Sequence, residues 1–181
     1  MNTHHTSRGE RNNNPLNIRR STDRWVGASE VQTDTGFVQF KSLAYGYRAA
    51  WKILQSYYDR FCAQGKGFTV RNIIYRWAPP SDGNATEAYI RKVLQLSALG
   101  GKENLLPPDN PDSYYRLSKL LTAMTSIECG IPMTRVHTEA ICQGYLLAFP
   151  ENKEAVEDWL KGEDEYWDWS PNANFSGFEL V

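Results

Sequence analysis

Apolar residues recur with a helical period over most of the chain; the polar first 14 residues, one stretch before residue 41 and the C-terminal end depart from it. Asn12-Asn13-Asn14-Pro15 reads as a loop, because consecutive asparagines offer side-chain bonds that compete with regular structure and Pro15 restricts Asn14. Order is expected from near Leu16. Between Asn17 and Phe40 the β-formers Ile18, Trp25, Val26, Val31, Phe37, Val38 and Phe40 are broken by Gly27 and by the turn sequence Thr33-Asp34-Thr35-Gly36. This predicts a small hairpin or an irregular three-stranded sheet.

Ser42 then caps a predicted helix in which Leu43, Tyr47, Ala50, Leu54, Tyr57 and Phe61 keep helical spacing until Gly65 and Gly67. Thr69 caps a shorter one through Val70, Ile73, Ile74 and Trp77, ended by Pro79-Pro80. Asn84 and Glu87 have capping-box spacing and open a third, with Tyr89, Ile90, Val93, Leu94 and Leu96, that runs to Gly100-Gly101. Pro111 suits the first turn of a fourth, whose apolar face runs through Tyr114, Leu117, Leu120, Leu121, Met124 and Ile127 to Gly130. Thr134 caps a fifth, through Val136, Ala140, Ile141 and Leu147, and an acidic sixth spans Glu151 to Leu160. The fold class is therefore mainly α with a small β-region (α+β). Residues 1–150 form one expected domain, and residues 151–181 an acidic helix followed by an extended, partly disordered tail.

Composition narrows the function classes. No apolar run approaches the roughly 18 to 20 residues needed to cross a bilayer, so no membrane span is expected. The start of the chain lacks an apolar signal region, so the protein is expected to be made in the cytoplasm and to reach any external target by another route. Cys62, Cys129 and Cys142 form neither an even framework nor a CxxC pair and read as buried free thiols. His4, His5 and His137 are too scattered for a metal centre, and no cofactor motif is present. A net charge of -1 argues against general nucleic-acid binding, although Arg8, Arg11, Arg19, Arg20 and Arg24 make the first quarter locally basic, a face suited to an acidic glycan polymer. Six Trp and ten Tyr suit a sugar-binding cleft, and equally a large aromatic core.

One residue breaks the helical pattern informatively. Leu117, Leu121, Met124 and Glu128 share a helix face, so a carboxyl stands where packing calls for an apolar side chain. It lies in the last helical turn, where the dipole opposes a negative charge, as suits a proton donor to a glycosidic oxygen. The same position is compatible with a glutamate at the rim of the face that turns outward or pairs with an arginine.

The ordered segments Arg8-Gly-Glu-Arg-Asn-Asn-Asn-Pro-Leu-Asn-Ile-Arg, Trp25-Val-Gly, Thr35-Gly-Phe-Val-Gln-Phe-Lys-Ser, Gly46-Tyr-Arg-Ala-Ala, Arg76-Trp-Ala-Pro-Pro-Ser, Thr86-Glu-Ala-Tyr-Ile-Arg-Lys-Val and Ile127-Glu-Cys-Gly resemble a family of phage and prophage peptidoglycan hydrolases. The likeness covers roughly residues 8–148. The same pieces resemble lytic transglycosylases and autolysin glucosaminidases in a shifted order, with the Glu-Cys-Gly helix last instead of first. The resemblance implies a lysozyme-like fold, circularly permuted, that cleaves peptidoglycan glycan strands as a lytic transglycosylase or muramidase. It makes Glu128 the acid/base and Tyr89 a cleft residue that orients it or the sugar. Asn14, Asn17 and Ile18 become part of a substrate-facing turn, with Trp77 and Thr86 in second rank.

Glu10 is the rival acid, since it directly precedes the asparagine turn. Asp23, Glu30 and Asp34 are candidates for the second carboxylate a muramidase needs; with one strong candidate the reading leans to the transglycosylase. The implied partners are glycan strands and a delivery or immunity protein, and the implied site of action is the cell wall after phage- or secretion-dependent delivery. The acidic aromatic segment 163–169 is a candidate for docking a partner. The rival class is a non-catalytic glycan- or partner-binding protein of virions or secretion systems. A cysteine nucleophile, Cys129 or Cys142 near His137, fits poorly because both cysteines sit in apolar helices.

Overall fold

A computed structural model describes residues 6–162. The described chain is mainly helical: α1 (Arg8–Arg11), α2 (Leu43–Ala63), α3 (Val70–Trp77), α4 (Thr86–Ser97), α5 (Tyr114–Cys129), α6 (Thr138–Ala148) and α7 (Lys153–Gly162). Single 3-10 turns lie at Pro80–Asp82, Pro111–Ser113, Met133–Arg135 and Pro150–Asn152. None of the described helices is long and apolar enough to cross a membrane.

Of the stripe predicted along α2, Tyr47, Ala50, Leu54 and Phe61 bury and Leu43 and Tyr57 pack half-buried against them, while Trp51, outside the predicted stripe, also joins the core. α2 packs closely on α6 because Gly144 removes a side chain from the crossing; a Cβ there would stand 2.6 Å from Tyr47 Cβ and 2.9 Å from the Ala44 carbonyl oxygen. The close approach lets Trp51 Nε1 donate to the Ile141 carbonyl at 3.1 Å. Arg48 Nε and Lys52 Nζ likewise reach the Leu147 and Ala148 carbonyls, both at 3.2 Å, placing two cations at the negative end of α6. Trp51, Tyr114 and Tyr145 form one aromatic nest, with Tyr145 ring centroids 4.9 Å and 5.0 Å from the other two. α3, α4 and α5 complete the same core through Ile73, Ile74, Ile90, Val93, Leu117, Leu120 and Leu121, and α7 adds Val156.

The region between residues 17 and 40 corrects the sheet expectation. Among the described residues its pairing is limited to two isolated antiparallel bridges, Arg19 with Phe37 and Ala28 with Phe40. Side-chain amides take the place of a ladder. Gln39 Oε1 accepts the Thr33 and Asp34 N–H groups, and Gln32 bonds the Gln39 backbone at both its N–H and its carbonyl. The apolar residues still bury as a second cluster of Ile18, Val38, Phe40 and Ala49, against which Trp25 and Trp77 pack.

Four boundaries also differ. Residues 8–11 form a helical turn, not a loop, closed by a reciprocal capping box between Ser7 and Glu10, so order begins ahead of Leu16. The Asn84–Glu87 box does not form: Asn84 bonds the Pro79 carbonyl, while Glu87 is drawn away by Arg71 and Tyr75 of α3. α6 starts at Thr138, after the 3-10 turn that holds Thr134, and α7 starts at Lys153. Cys62 is exposed, whereas Cys129 and Cys142 are buried. The segment 163–169 and the rest of the expected tail lie outside the described residues.

Gly144→Ala is expected to destabilise the fold by about 1–3 kcal/mol, because the contacted atoms are backbone or Cβ and cannot swing aside. A urea denaturation midpoint equal to wild type would show that the α2–α6 crossing has slack.

Candidate functional site

Leu117, Leu121 and Met124 bury one line of α5, and the next residue on that line, Glu128, is half-buried at its end. α5 stops two residues later, where Gly130 takes the left-handed conformation at φ 64°. The Ser126 hydroxyl donates to the Ile131 carbonyl at 2.6 Å and fixes the chain as it leaves.

Two donors from distant parts of the chain converge on this carboxyl. Tyr89 Oη, from α4, donates to Oε1 at 2.9 Å, and Asn17 Nδ2 donates to Oε2 at 3.0 Å. Asn17 Nδ2 also lies 3.4 Å from the Glu128 carbonyl oxygen. Burial, then the neighbouring carboxylate, pushes the Tyr89 phenol well above its ordinary range, so it remains a donor at any working pH. A carboxylate has about four lone-pair positions. One donor on each oxygen fixes the plane of the group and leaves room on both oxygens for a proton or a ligand.

Asn17 reaches Glu128 because the turn before it is held from within. Asn14 is fully buried; its Nδ2 donates to the Ile18 and Val38 carbonyls at 2.9 Å and 2.8 Å, and its Oδ1 accepts the Ile18 N–H at 2.8 Å. Asn17 itself sits at φ 51°, a left-handed conformation that asparagine tolerates better than most residues. Beneath the turn lies α1. The Gly9 carbonyl accepts the Asn14 N–H at 2.8 Å, and the Asn14 carbonyl accepts the Asn17 N–H at 3.0 Å. A Cβ on Gly9 would stand 2.9 Å from the Asn14 carbonyl oxygen, 3.0 Å from Cys129 Sγ and 3.3 Å from Asn17 Oδ1. Cys129 Sγ in turn donates to the Pro15 carbonyl at 3.3 Å. Gly9 and Cys129 thus set the distance between the turn and the end of α5. Gly9 is not visible as a site residue in the sequence, and Cys129 is visible there only as a poor nucleophile candidate; their spacing role lies in tertiary contacts that periodicity does not carry.

The geometry brings Asn17, Tyr89 and Glu128 together and gives the other candidates different work. Asn14 and the backbone of Ile18 are consumed by the turn, and the Ile18 side chain is buried, so neither faces a substrate. Trp77 packs against both apolar clusters and meets Tyr57 edge-on at 6.4 Å. Thr86 is buried and donates to the Ala78 carbonyl at 2.6 Å, anchoring the start of α4.

The rival carboxylates are likewise engaged. Glu10 lies in α1, not in a loop; it accepts the Ser7 N–H at 2.8 Å and lies 4.0 Å from Arg135. Partial burial works against its charge, but the Ser7 bonds and Arg135 outweigh it and hold the carboxyl below its ordinary range. Asp34 receives Arg8 on both oxygens at 2.7 Å, Asn12 at 2.8 Å and the Gly36 and Phe37 N–H groups at 2.9 Å and 3.0 Å. The Arg8 guanidinium, then Asn12, holds its carboxyl far below the usual carboxylate range. Asp23 is exposed and bonded to Ser21, and Glu30 is exposed. Burial pushes the Cys129 and Cys142 thiols up, the wrong direction for a nucleophile. Among the described residues no three or more His, Cys, Asp or Glu side chains gather as metal ligands.

No family model matches the chain. It is 34% identical over 127 residues to Protein P5 of Pseudoalteromonas phage PM2, an alignment covering 68% of this chain and 72% of that protein.

Gly9→Ala is expected to push the turn from the end of α5 and loosen the Asn17–Glu128 bond, seen as a changed Asn17 side-chain amide resonance in a protein that still folds. An unchanged resonance would mean that the neighbours yield without moving Asn17. Asp34 gives a pH test. Because its folded carboxyl is depressed, its stabilisation is complete above the unfolded value of about 3.9 and is lost as pH falls toward the folded one. The stability gap between wild type and Asp34→Asn should therefore close below about pH 4. A gap independent of pH in denaturation curves would contradict the Arg8–Asp34 assignment.

Proposed function

We propose, taking as premise that the chain belongs to the family of Protein P5 of Pseudoalteromonas phage PM2, that it is a lysozyme-like enzyme that cleaves peptidoglycan glycan strands. Glu128 is its acid and base. The observation that carries the reading is the convergence of Tyr89 and Asn17 on the two oxygens of a half-buried carboxyl at a helix end. The two donors, from segments 72 residues apart counted from Asn17 to Tyr89, orient the carboxyl without a cation to neutralise it, an arrangement suited to a group that must both give and take a proton.

The three segments meeting at Glu128 are those whose order is shifted relative to lytic transglycosylases: the asparagine turn, the Thr-x-x-Tyr helix and the Glu-Cys-Gly helix. Their meeting supports a circular permutation, which is undemanding where chain ends lie close together. Chemically, protonated Glu128 gives its proton to the glycosidic oxygen as the bond to the anomeric carbon breaks. The resulting carboxylate then takes the proton from the muramic acid O6 hydroxyl as that oxygen bonds the anomeric carbon. The product is a 1,6-anhydro end, and Glu128 is again protonated. Tyr89 and Asn17 hold the carboxyl in plane throughout and stabilise its anionic stage. The engagement of Glu10 and Asp34 elsewhere favours this one-carboxyl route over a muramidase. The site of action is the cell wall, reached by phage-dependent delivery.

Glu128→Gln is expected to abolish release of muropeptides from purified peptidoglycan with folding intact, a loss of about 10² to 10⁴ in rate or more. Tyr89→Phe should lower the rate about tenfold, the worth of one hydrogen bond to a charged group. Mass spectrometry should find 1,6-anhydro-muramic ends; reducing muramic ends would make the enzyme a muramidase. Wild-type activity in the Glu128→Gln variant would end the assignment, and an inactive wild type that still binds glycan would make the protein a binding module.

A further inference from the structure

The first quarter of the chain carries five arginines, and their side chains divide sharply. Arg8 is committed to Asp34 and lies over the Phe37 ring at 4.4 Å, Arg11 donates to the Thr6 carbonyl at 2.6 Å, and Arg20 donates to the Asp34 carbonyl at 3.3 Å. Arg19 and Arg24 are exposed, and among the described residues neither side chain has a hydrogen-bond or ion-pair partner. Of these two, Arg19 stands on fixed backbone. The preceding Ile18 is held at its N–H by Asn14 and at its carbonyl by Asn14 and Val38, Arg19 itself bridges Phe37, and the following Arg20 N–H donates to Gly36 at 3.0 Å.

Position makes this cation informative. Arg19 is two residues from Asn17, a separation of at most about 7 Å even in fully extended chain, and Asn17 touches Glu128. Ile18 points into the second apolar cluster, so the next side chain along projects outward. A rigidly mounted, unpaired guanidinium beside a glycan-cleaving carboxyl is out of place if the ligand is a neutral sugar chain. A guanidinium binds planar carboxylates in a bidentate manner. In peptidoglycan the carboxylates nearest the glycan are those of the peptide stems carried on its muramic acid residues.

We propose that Arg19 is a specificity residue that pairs with a stem-peptide carboxylate, so that the substrate class of this site is peptide-bearing glycan and not bare glycan strands. The proposal rests on the glycan-cleaving reading of Glu128 for its chemistry, but its test reads binding as well as cleavage. Arg24, seven residues beyond Asn17 and without the same anchoring, serves as the control cation.

The experiment compares intact sacculi with the same sacculi stripped of peptides by an amidase, the muramic lactyl carboxylates exposed by that hydrolysis being capped as neutral methylamides, at low and moderate salt. Binding is measured by cosedimentation of the full chain carrying Glu128→Gln, with and without Arg19→Gln or Arg24→Gln. The expected result is about tenfold weaker binding to intact sacculi for Arg19→Gln, the worth of one charge-assisted pair, with binding to stripped strands unchanged and Arg24→Gln close to its parent. Arg19→Lys should recover only part of the loss. In the Glu128 background with cleavage intact, Arg19→Gln should raise KM on intact sacculi and leave kcat and the activity on stripped strands alone. Equal weakening on both substrates, or an equal effect of Arg24→Gln, overturns the proposal, since either makes the effect one of general charge. If the wild type cleaves neither substrate but Arg19-dependent preference for intact sacculi remains, the catalytic reading fails and the recognition proposal stands.

Discussion

The side-chain amide of Asn14 is the constraint on which the rest of the site depends. Fully enclosed, it takes one N–H and supplies two donors to carbonyls at residues 18 and 38, closing a turn that has no ladder to close it. Without it, the Ile18 N–H and the Val38 carbonyl lose this partner, at about 1–3 kcal/mol for each group left unsatisfied, while the Ile18 carbonyl keeps only the Val38 N–H. The same bonds seat Ile18 and Val38 in the second apolar cluster and set Asn17 at its left-handed angle, so one amide couples the packing of the irregular region to the orientation of a carboxyl on another helix.

The two partners of Glu128 are held by different physics. Tyr89 is placed by apolar packing: Ile90 and Val93 of α4 bury in the same core as Leu117, Leu121 and Met124 of α5, a setting that tolerates small adjustments without leaving a polar group stranded. Asn17 is placed by buried polar groups and by the absence of a side chain at Gly9, an arrangement with little tolerance. The rigid side of the clamp is therefore the polar one, and the exposed face of the same turn carries Arg19.

Much of the helical framework was legible because its burial stripes repeat over several turns, and the long stripe of α2 is the clearest example. Glu128 was legible as an interruption of such a stripe, and Asn17 and Tyr89 through the resemblance of ordered segments. α1 was not: four residues contain one turn, too few for a period to register. The stretch from 17 to 40 was misread for an instructive reason. Its β-formers reported correctly that Ile18, Val38 and Phe40 bury, but burial does not require a ladder when Asn14, Gln32 and Gln39 can satisfy the backbone. Asn84 and Glu87 failed as a box because Glu87 has stronger partners in Arg71 and Tyr75, 16 and 12 residues away.

The bond between Asn17 and Glu128 spans 111 residues of chain. During synthesis at about 5 to 20 residues per second, the first of these residues waits on the order of ten seconds before the last is made. Until α5 has emerged and docked on α4, the carboxyl lacks both of its donors. A nascent chain, or one cut before α5, therefore carries parts of the site without the site, and its assembly reports that the asparagine turn, α4 and α5 have docked together.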